Sequence, residues 1–176
     1  MNLLRGLRVR RPRRVPGPGS ASASLSWIGD ERIAISGVPS PRTVAHLAGQ
    51  GVTHVVNCRP RAAVRWYGDL AAELAAFGAG RVAHAPMADH GRPQRPAAWA
   101  AAACFAARVL ADQPQAGVLI HCSAGRRRSA MVAYAVLRLR GHDQDRAAAL
   151  VLRYRPQAQL VPAYVRSVER WLAAAR

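Results

Sequence analysis

The sequence predicts an α/β fold: one small domain with a mostly parallel central sheet flanked by helices. Three observations carry that expectation. Short apolar or β-branched runs, "RIAISG", "VTHVVNC", "RVAHAPM" and "GVLIHC", recur along the chain. The segments between them carry helical spacing rather than the tight turns of hairpins. Strand–helix alternation of this kind suits parallel pairing, because a parallel neighbour is reached only through a crossover. The length, 176 residues, suits one domain with a sizeable core.

The elements follow in order. The folded domain is expected to begin near Trp27, giving a domain over 25–176. "RIAISG", from Arg32, alternates as a strand does. Ser40 followed by Pro41 reads as an N-cap with proline at the first helical position, opening a helix that Gly51 closes. "VTHVVNC" (52–58) is a β-branched strand, "VRWYGDLAAELAAF" a helix, and "RVAHAPM" (81–87) a third strand. "HGRPQRP" is loop. The alanine-rich stretch from Ala97 to Gln113 is a long helix, with Cys104 expected on its apolar side. "GVLIHC" (117–122) is an apolar strand. A helix from Ala130 to Arg140 stops at Gly141, Asp143 caps the next, and an amphipathic helix follows "RYRPQAQLVP".

Charge is the most unusual feature of the composition. The net charge is +17, and every one of the 26 basic residues is arginine. Such a balance invites an anionic partner, but with abundant alanine it also fits coding bias in a GC-rich genome. Placement therefore says more than the total. Residues 1–24 hold six arginines and no acid, then "VPGPGSASAS", and read as a disordered basic arm. That arm fits an anchor on the anionic lipid of a membrane surface or on nucleic acid, a solvated tail or misassigned start, or an imitation of a transit peptide. Nucleic acid is not expected as a partner: aromatics are few, and zinc-finger and RNP-like patterns are lacking. Cys58, Cys104 and Cys122 are too scattered for a disulfide framework or a zinc site and fit a reducing cytosol. With no long apolar run and no secretory h-region, the expected location is cytoplasmic, with the membrane periphery as a variant.

The stretch "IHCSAGRRRSA" (120–130) concentrates the chemistry. It joins an apolar strand to a helix, and ligands of open α/β sheets bind at the carboxyl ends of strands. A loop wrapping into a helix N-terminus turns its backbone N–H groups into an anion cradle. Here Ser123, Ala124, Gly125, Arg126, Arg127 and Arg128 would form it. Gly125 permits the tight bend, and Arg128 can grip two phosphate oxygens. The same donors and charges would lower the thiol pKa of Cys122, leaving a thiolate beneath a bound phosphate.

The pattern His-Cys-x-x-Gly-x-x-Arg-Ser resembles the signature of the cysteine-dependent protein tyrosine phosphatases. The short chain, with "SGVPSP", "GVTHVVN", "APMADH" and "RYRPQAQLVP", looks like the dual-specificity branch over residues 27 to 173. The resemblance implies a phosphoric monoester hydrolase that needs no cofactor or metal. It makes Cys122 the nucleophile, which forms a phosphocysteine, and Arg128 the ligand of the transferred group. It gives Ser129 a hydrogen bond to the thiolate, and His121 a supporting role with its ring turned from substrate. Asp89, 33 residues before Cys122, falls where the resemblance places the general acid. Asp69 and Asp112 are expected to be solvated on helix surfaces.

The departures bear on substrate. Arg126 and Arg127 stand where many relatives carry small or apolar residues. The loop is thereby similar to those of phosphoinositide-type phosphatases, and more so to that of the mitochondrial phosphatidylglycerophosphate phosphatase. A phosphorylated protein is the first expectation for substrate, a phospholipid the second, and a non-catalytic phosphate-binding module the alternative to an enzyme. Cys58 matches a position that, in some phosphoinositide phosphatases, carries a cysteine bonding the nucleophile under oxidation; it also reads as a small buried residue. Arg59, Arg61 and Arg65 either widen a basic rim or form a solvated face.

Overall fold

A computed structural model describes residues 24–175. The expected basic arm, apart from Ser24, lies outside them. Five strands, β1 (Ser26–Trp27), β2 (Ile33–Ser36), β3 (His54–Asn57), β4 (Val82–His84) and β5 (Val118–His121), form one sheet in the order β1-β2-β5-β3-β4. Strands β2, β5, β3 and β4 run parallel, and β1 is an antiparallel edge. The register sets both Ser36 and Asn57 beside His121. Three strands thus end level at one edge, and the chain leaves that edge from β5 straight into "CSAGRRR".

Among the described residues seven α-helices cover the sheet: α1 (Pro41–Val44), α2 (Arg61–Tyr67), α3 (Asp69–Phe77), α4 (Ala100–Asp112), α5 (Arg128–Leu139), α6 (Gln144–Tyr154) and α7 (Pro162–Ala174). Strand alternation divides the core in two. Ile33, Ile35, Val56, Val118 and Ile120 face α4 to α7, while Ala34, Val55 and Leu119 face Val44, Leu47 and the α3 side. Helix α5 is buried from Arg128 to Leu137, which explains why "SAMVAYAVL" is apolar nearly all round.

Both anticipated caps form. The Ser40 hydroxyl accepts from Thr43 N–H at 3.1 Å, and Asp143 accepts from Arg146 N–H at 2.7 Å. Several boundaries differ from expectation. The helix from Pro41 is one turn, followed by a 3-10 turn over Ala48–Gln50 that Gly51 ends at φ 90°. The helix expected over 64–77 is two helices, because Gly68, at φ 70°, closes α2 and redirects the chain.

Three side chains are placed otherwise than the sequence implies. Cys104 is exposed; alanine on every face of α4 hides the helical phase, and the buried stripe runs through Ala102, Ala103, Ala106, Val109 and Leu110. Asp69 is buried rather than solvated, and so is Arg59, which pairs with it at 2.6 Å. Arg59 therefore belongs to neither a basic rim nor a solvated face, whereas Arg61 and Arg65 are exposed.

Candidate active site

The loop between β5 and α5 bends at Gly125, whose φ is 65°. A Cβ there would stand 2.5 Å from Ser36 O and 2.6 Å from Arg155 Nη2, so the bend admits glycine alone without displacing its neighbours. Arg155, almost fully buried, clasps the bend from outside. Its Nε donates to Gly125 O at 3.1 Å and its Nη1 to Ser26 Oγ at 3.1 Å. Four residues on, Gln159 N–H donates to Arg126 O at 2.8 Å, and Arg127 Nε donates to Gln159 Oε1 at 2.7 Å. Sequence reasoning singled out the segment after α6 but neither of these residues. Their signal, an arginine and a glutamine among many arginines, is too common to read.

At the base of the loop, Cys122 is 1 % exposed and its Sγ lies 3.3 Å from Ser129 Oγ. Burial by itself would raise the thiol pKa. The Ser129 hydroxyl, the Ser129 backbone N–H, the Arg128 guanidinium and the Arg126 backbone N–H oppose it and hold the pKa below the ordinary value. The first turn of α5 has no side-chain cap, and its Ser129 N–H and the positive end of its dipole favour the thiolate.

Arg128 is 5 % exposed. Its Nη1 lies 3.4 Å from both Cys58 O and Met87 O, and its Nη2 donates to Ser123 Oγ at 3.2 Å. One guanidinium thus ties together the loop, the end of β3 and the segment leading to Asp89. Asp89 Oδ2 sits 3.6 Å from Arg128 Nε, and Oδ1 is 3.9 Å from Arg127 Nη1. Tyr164 of α7 donates to Asp89 Oδ1 at 3.3 Å and accepts from Gly91 N–H at 3.1 Å. This tyrosine, also absent from the sequence reading, orients the carboxylate. The structure therefore brings Cys122, Ser129, Arg128 and Asp89 to one place, while Arg126 and Arg127 are exposed at the rim.

Behind the loop lies a buried polar cluster. His121 Nε2 is 2.7 Å from Glu73 Oε1, in a contact too bent for a good hydrogen bond. Asn57 Nδ2 donates to Asp69 Oδ2 at 2.8 Å and to Glu73 Oε2 at 3.0 Å. The His121 ring thus faces α3, away from the loop's mouth. Asp69, Glu73 and His121 have the ligand atoms of a metal site within 4.8 Å. Arg59 pairs with Asp69 and Asn57 donates to both carboxylates, so the set is an internally bonded cluster that seats α3 and His121. Cys58, whose N–H donates to His121 O at 2.8 Å, is buried; like Cys122 it is a free thiol. Its burial, with Cys122 nearby, pushes its pKa well up.

A sheet of order β1-β2-β5-β3-β4, with a Cys-x5-Arg loop between its central strand and a buried helix, is the architecture of the cysteine-dependent phosphatases in their small, dual-specificity form. No protein-family model matches the chain, and no curated protein matches it by sequence. Solved structures do. Tk-PTP in its active form is 25% identical with a TM-score of 0.65, over 84% of this chain and 95% of that one. PTPMT1 in complex with PI(5)P is 18% identical with a TM-score of 0.71, over 86% and 99%. Human DUSP28 is 21% identical with a TM-score of 0.65, over 92% and 97%. The fold is that of the dual-specificity and protein tyrosine phosphatases, as the loop's resemblance implies.

Proposed function

We propose that this chain is a metal-independent phosphomonoester hydrolase working through a phosphocysteine. The observation that carries the reading is the Cys122 thiol 3.3 Å from Ser129 Oγ, with Arg128, whose guanidinium helps lower the thiol pKa, 3.6 Å from Asp89. The Cys122 thiolate attacks phosphorus as the bond to the leaving oxygen breaks, and protonated Asp89 delivers its proton to that oxygen. Arg128, whose buried Nε makes no hydrogen bond among the described residues, and the loop N–H groups stabilise the equatorial oxygens. Water then attacks the phosphocysteine and Asp89 takes its proton. Ser129 stabilises the departing thiolate, and inorganic phosphate leaves.

On the loop's resemblance the substrate is a phosphorylated protein, at tyrosine or with dual specificity. A phospholipid phosphate is the second reading, favoured by Arg126, exposed beside the cradle and free to meet further negative charge. Intact Cys122, Arg128 and Asp89 speak against a purely binding module. A cytoplasmic location, at the membrane periphery for a lipid substrate, belongs to the same proposal. Cys122→Ser tests the mechanism: turnover of an aryl phosphate should vanish while vanadate still binds, and a chelator should leave the wild type active. A serine variant with wild-type turnover refutes the phosphocysteine.

A further inference from the structure

The exposed acids are segregated along the strand direction, whereas exposed arginines occur at both ends, Arg81 and Arg146 among them at the end far from the loop. Among the described residues, Asp30 precedes β2, Asp112 closes α4, Asp143 caps α6 and Asp145 stands in its first turn, all at the end opposite the loop. Apart from Asp89, they are the exposed acids. Asp69 and Glu73, the two acids of α3, are buried against Arg59, Asn57 and His121. The loop's edge instead carries exposed Arg42, Arg61, Arg65, Arg92 and Arg126.

The same edge exposes apolar groups. Helix α2 begins three residues after Cys58, whose carbonyl meets Arg128, and ends in Trp66 and Tyr67, 86 % and 65 % exposed. Single exposed apolar residues are ordinary. Adjacent aromatics in one helical turn, with arginines at 61 and 65, are not. Arg59 stacks under the Tyr67 ring at 4.5 Å, which holds the ring in place while most of it stays exposed. Beside them Val64, Leu70, Ala71 and Leu74 line an apolar groove of about 480 Å³. Val38, 36 % exposed, lies on the loop's other flank, its N–H bonded to Ser123 O.

From this placement we infer that the loop's edge is a docking face for an anionic bilayer, with Trp66 and Tyr67 entering the interface and Arg61 and Arg65 meeting phosphate headgroups. Aromatic rings with a polar tip favour the headgroup level, and apolar insertion combined with basic side chains is how proteins without a membrane span bind lipid. The inference rests on the phosphatase reading for its purpose, since such seating would present a lipid phosphate to Cys122. The binding itself does not depend on turnover.

The test uses the full chain with phosphatidylcholine vesicles, with and without phosphatidylglycerol. Wild-type protein should bind the anionic vesicles, with a blue shift in tryptophan emission that Trp66→Ala removes. Trp66→Ala/Tyr67→Ala should weaken binding roughly tenfold or more, and Arg61→Gln/Arg65→Gln about fivefold per charge, the latter effect shrinking with salt. Turnover of a soluble aryl phosphate should be unchanged by the aromatic substitutions. Unaltered vesicle binding in both variants overturns the proposal and places any anchor elsewhere. Lost phosphopeptide turnover with intact vesicle binding also overturns it, assigning the face to protein. An inactive wild type that still binds through Trp66 refutes the catalytic reading and leaves the docking face standing.

Discussion

Replacing Ser129 with alanine removes one of the groups that hold the Cys122 thiol below its ordinary pKa. The Oγ lies 3.3 Å from Sγ in a site where burial alone would push the pKa up. A hydrogen bond to a charged group contributes about 1.5–3 kcal/mol. Losing that stabilisation of the thiolate should raise the thiol pKa. The direction follows from which form the hydroxyl favours. The wild-type thiolate persists as pH falls until its lowered pKa is crossed; the variant loses it at higher pH. The acid limb of kcat/KM for an aryl phosphate should therefore shift upward, and so should the pH dependence of iodoacetate alkylation, which reads the thiol without turnover. The poorer leaving group should also slow phosphocysteine breakdown, so a burst of released phenol should appear. If neither limb nor alkylation profile moves, Ser129 does not stabilise the thiolate and the electrostatic account of the loop fails.

Three further outcomes test other parts of the site. Asp89→Asn should slow turnover about 10²-fold or more with poor leaving groups and much less with acidic phenols; a uniform loss across leaving groups would make Asp89 structural. Gly125→Ala should lower both thermal stability and activity, by more than about 1 kcal/mol in stability, because a Cβ would stand 2.5 Å from Ser36 O at positive φ; an unchanged melting temperature would contradict the packing described. Arg126→Ala should reduce kcat/KM for multiply charged substrates about ten- to hundredfold and for a simple aryl phosphate far less, whereas equal losses would show that Arg126 reads no second anionic group.

What the chain's order displays is what lies contiguous in it. The strand–helix alternation, the Ser40 and Asp143 caps and the loop from His121 to Ser129 are local, since a cap needs only its own first turn and a phosphate cradle only consecutive N–H groups. Cys122, Ser129 and Arg128 were legible as one constellation for that reason. Helical phase in an alanine-rich segment is not local information: packing against the sheet turned Cys104 outward. Gly68, one glycine in a helical run, split α2 from α3 and turned Asp69 and Glu73 inward, where Asn57, Arg59 and His121 meet them. Arg155, Gln159 and Tyr164 hold the loop and Asp89 from 30 or more residues along the chain. Their roles exist only once α6 and α7 are packed on α5. Chemistry carried by neighbouring residues was determined by the sequence itself. The second layer that holds it, and the burial of Asp69 and Glu73 near the loop's edge, were decided by tertiary packing, because only packing sets which distant side chains share a dielectric environment and which face water.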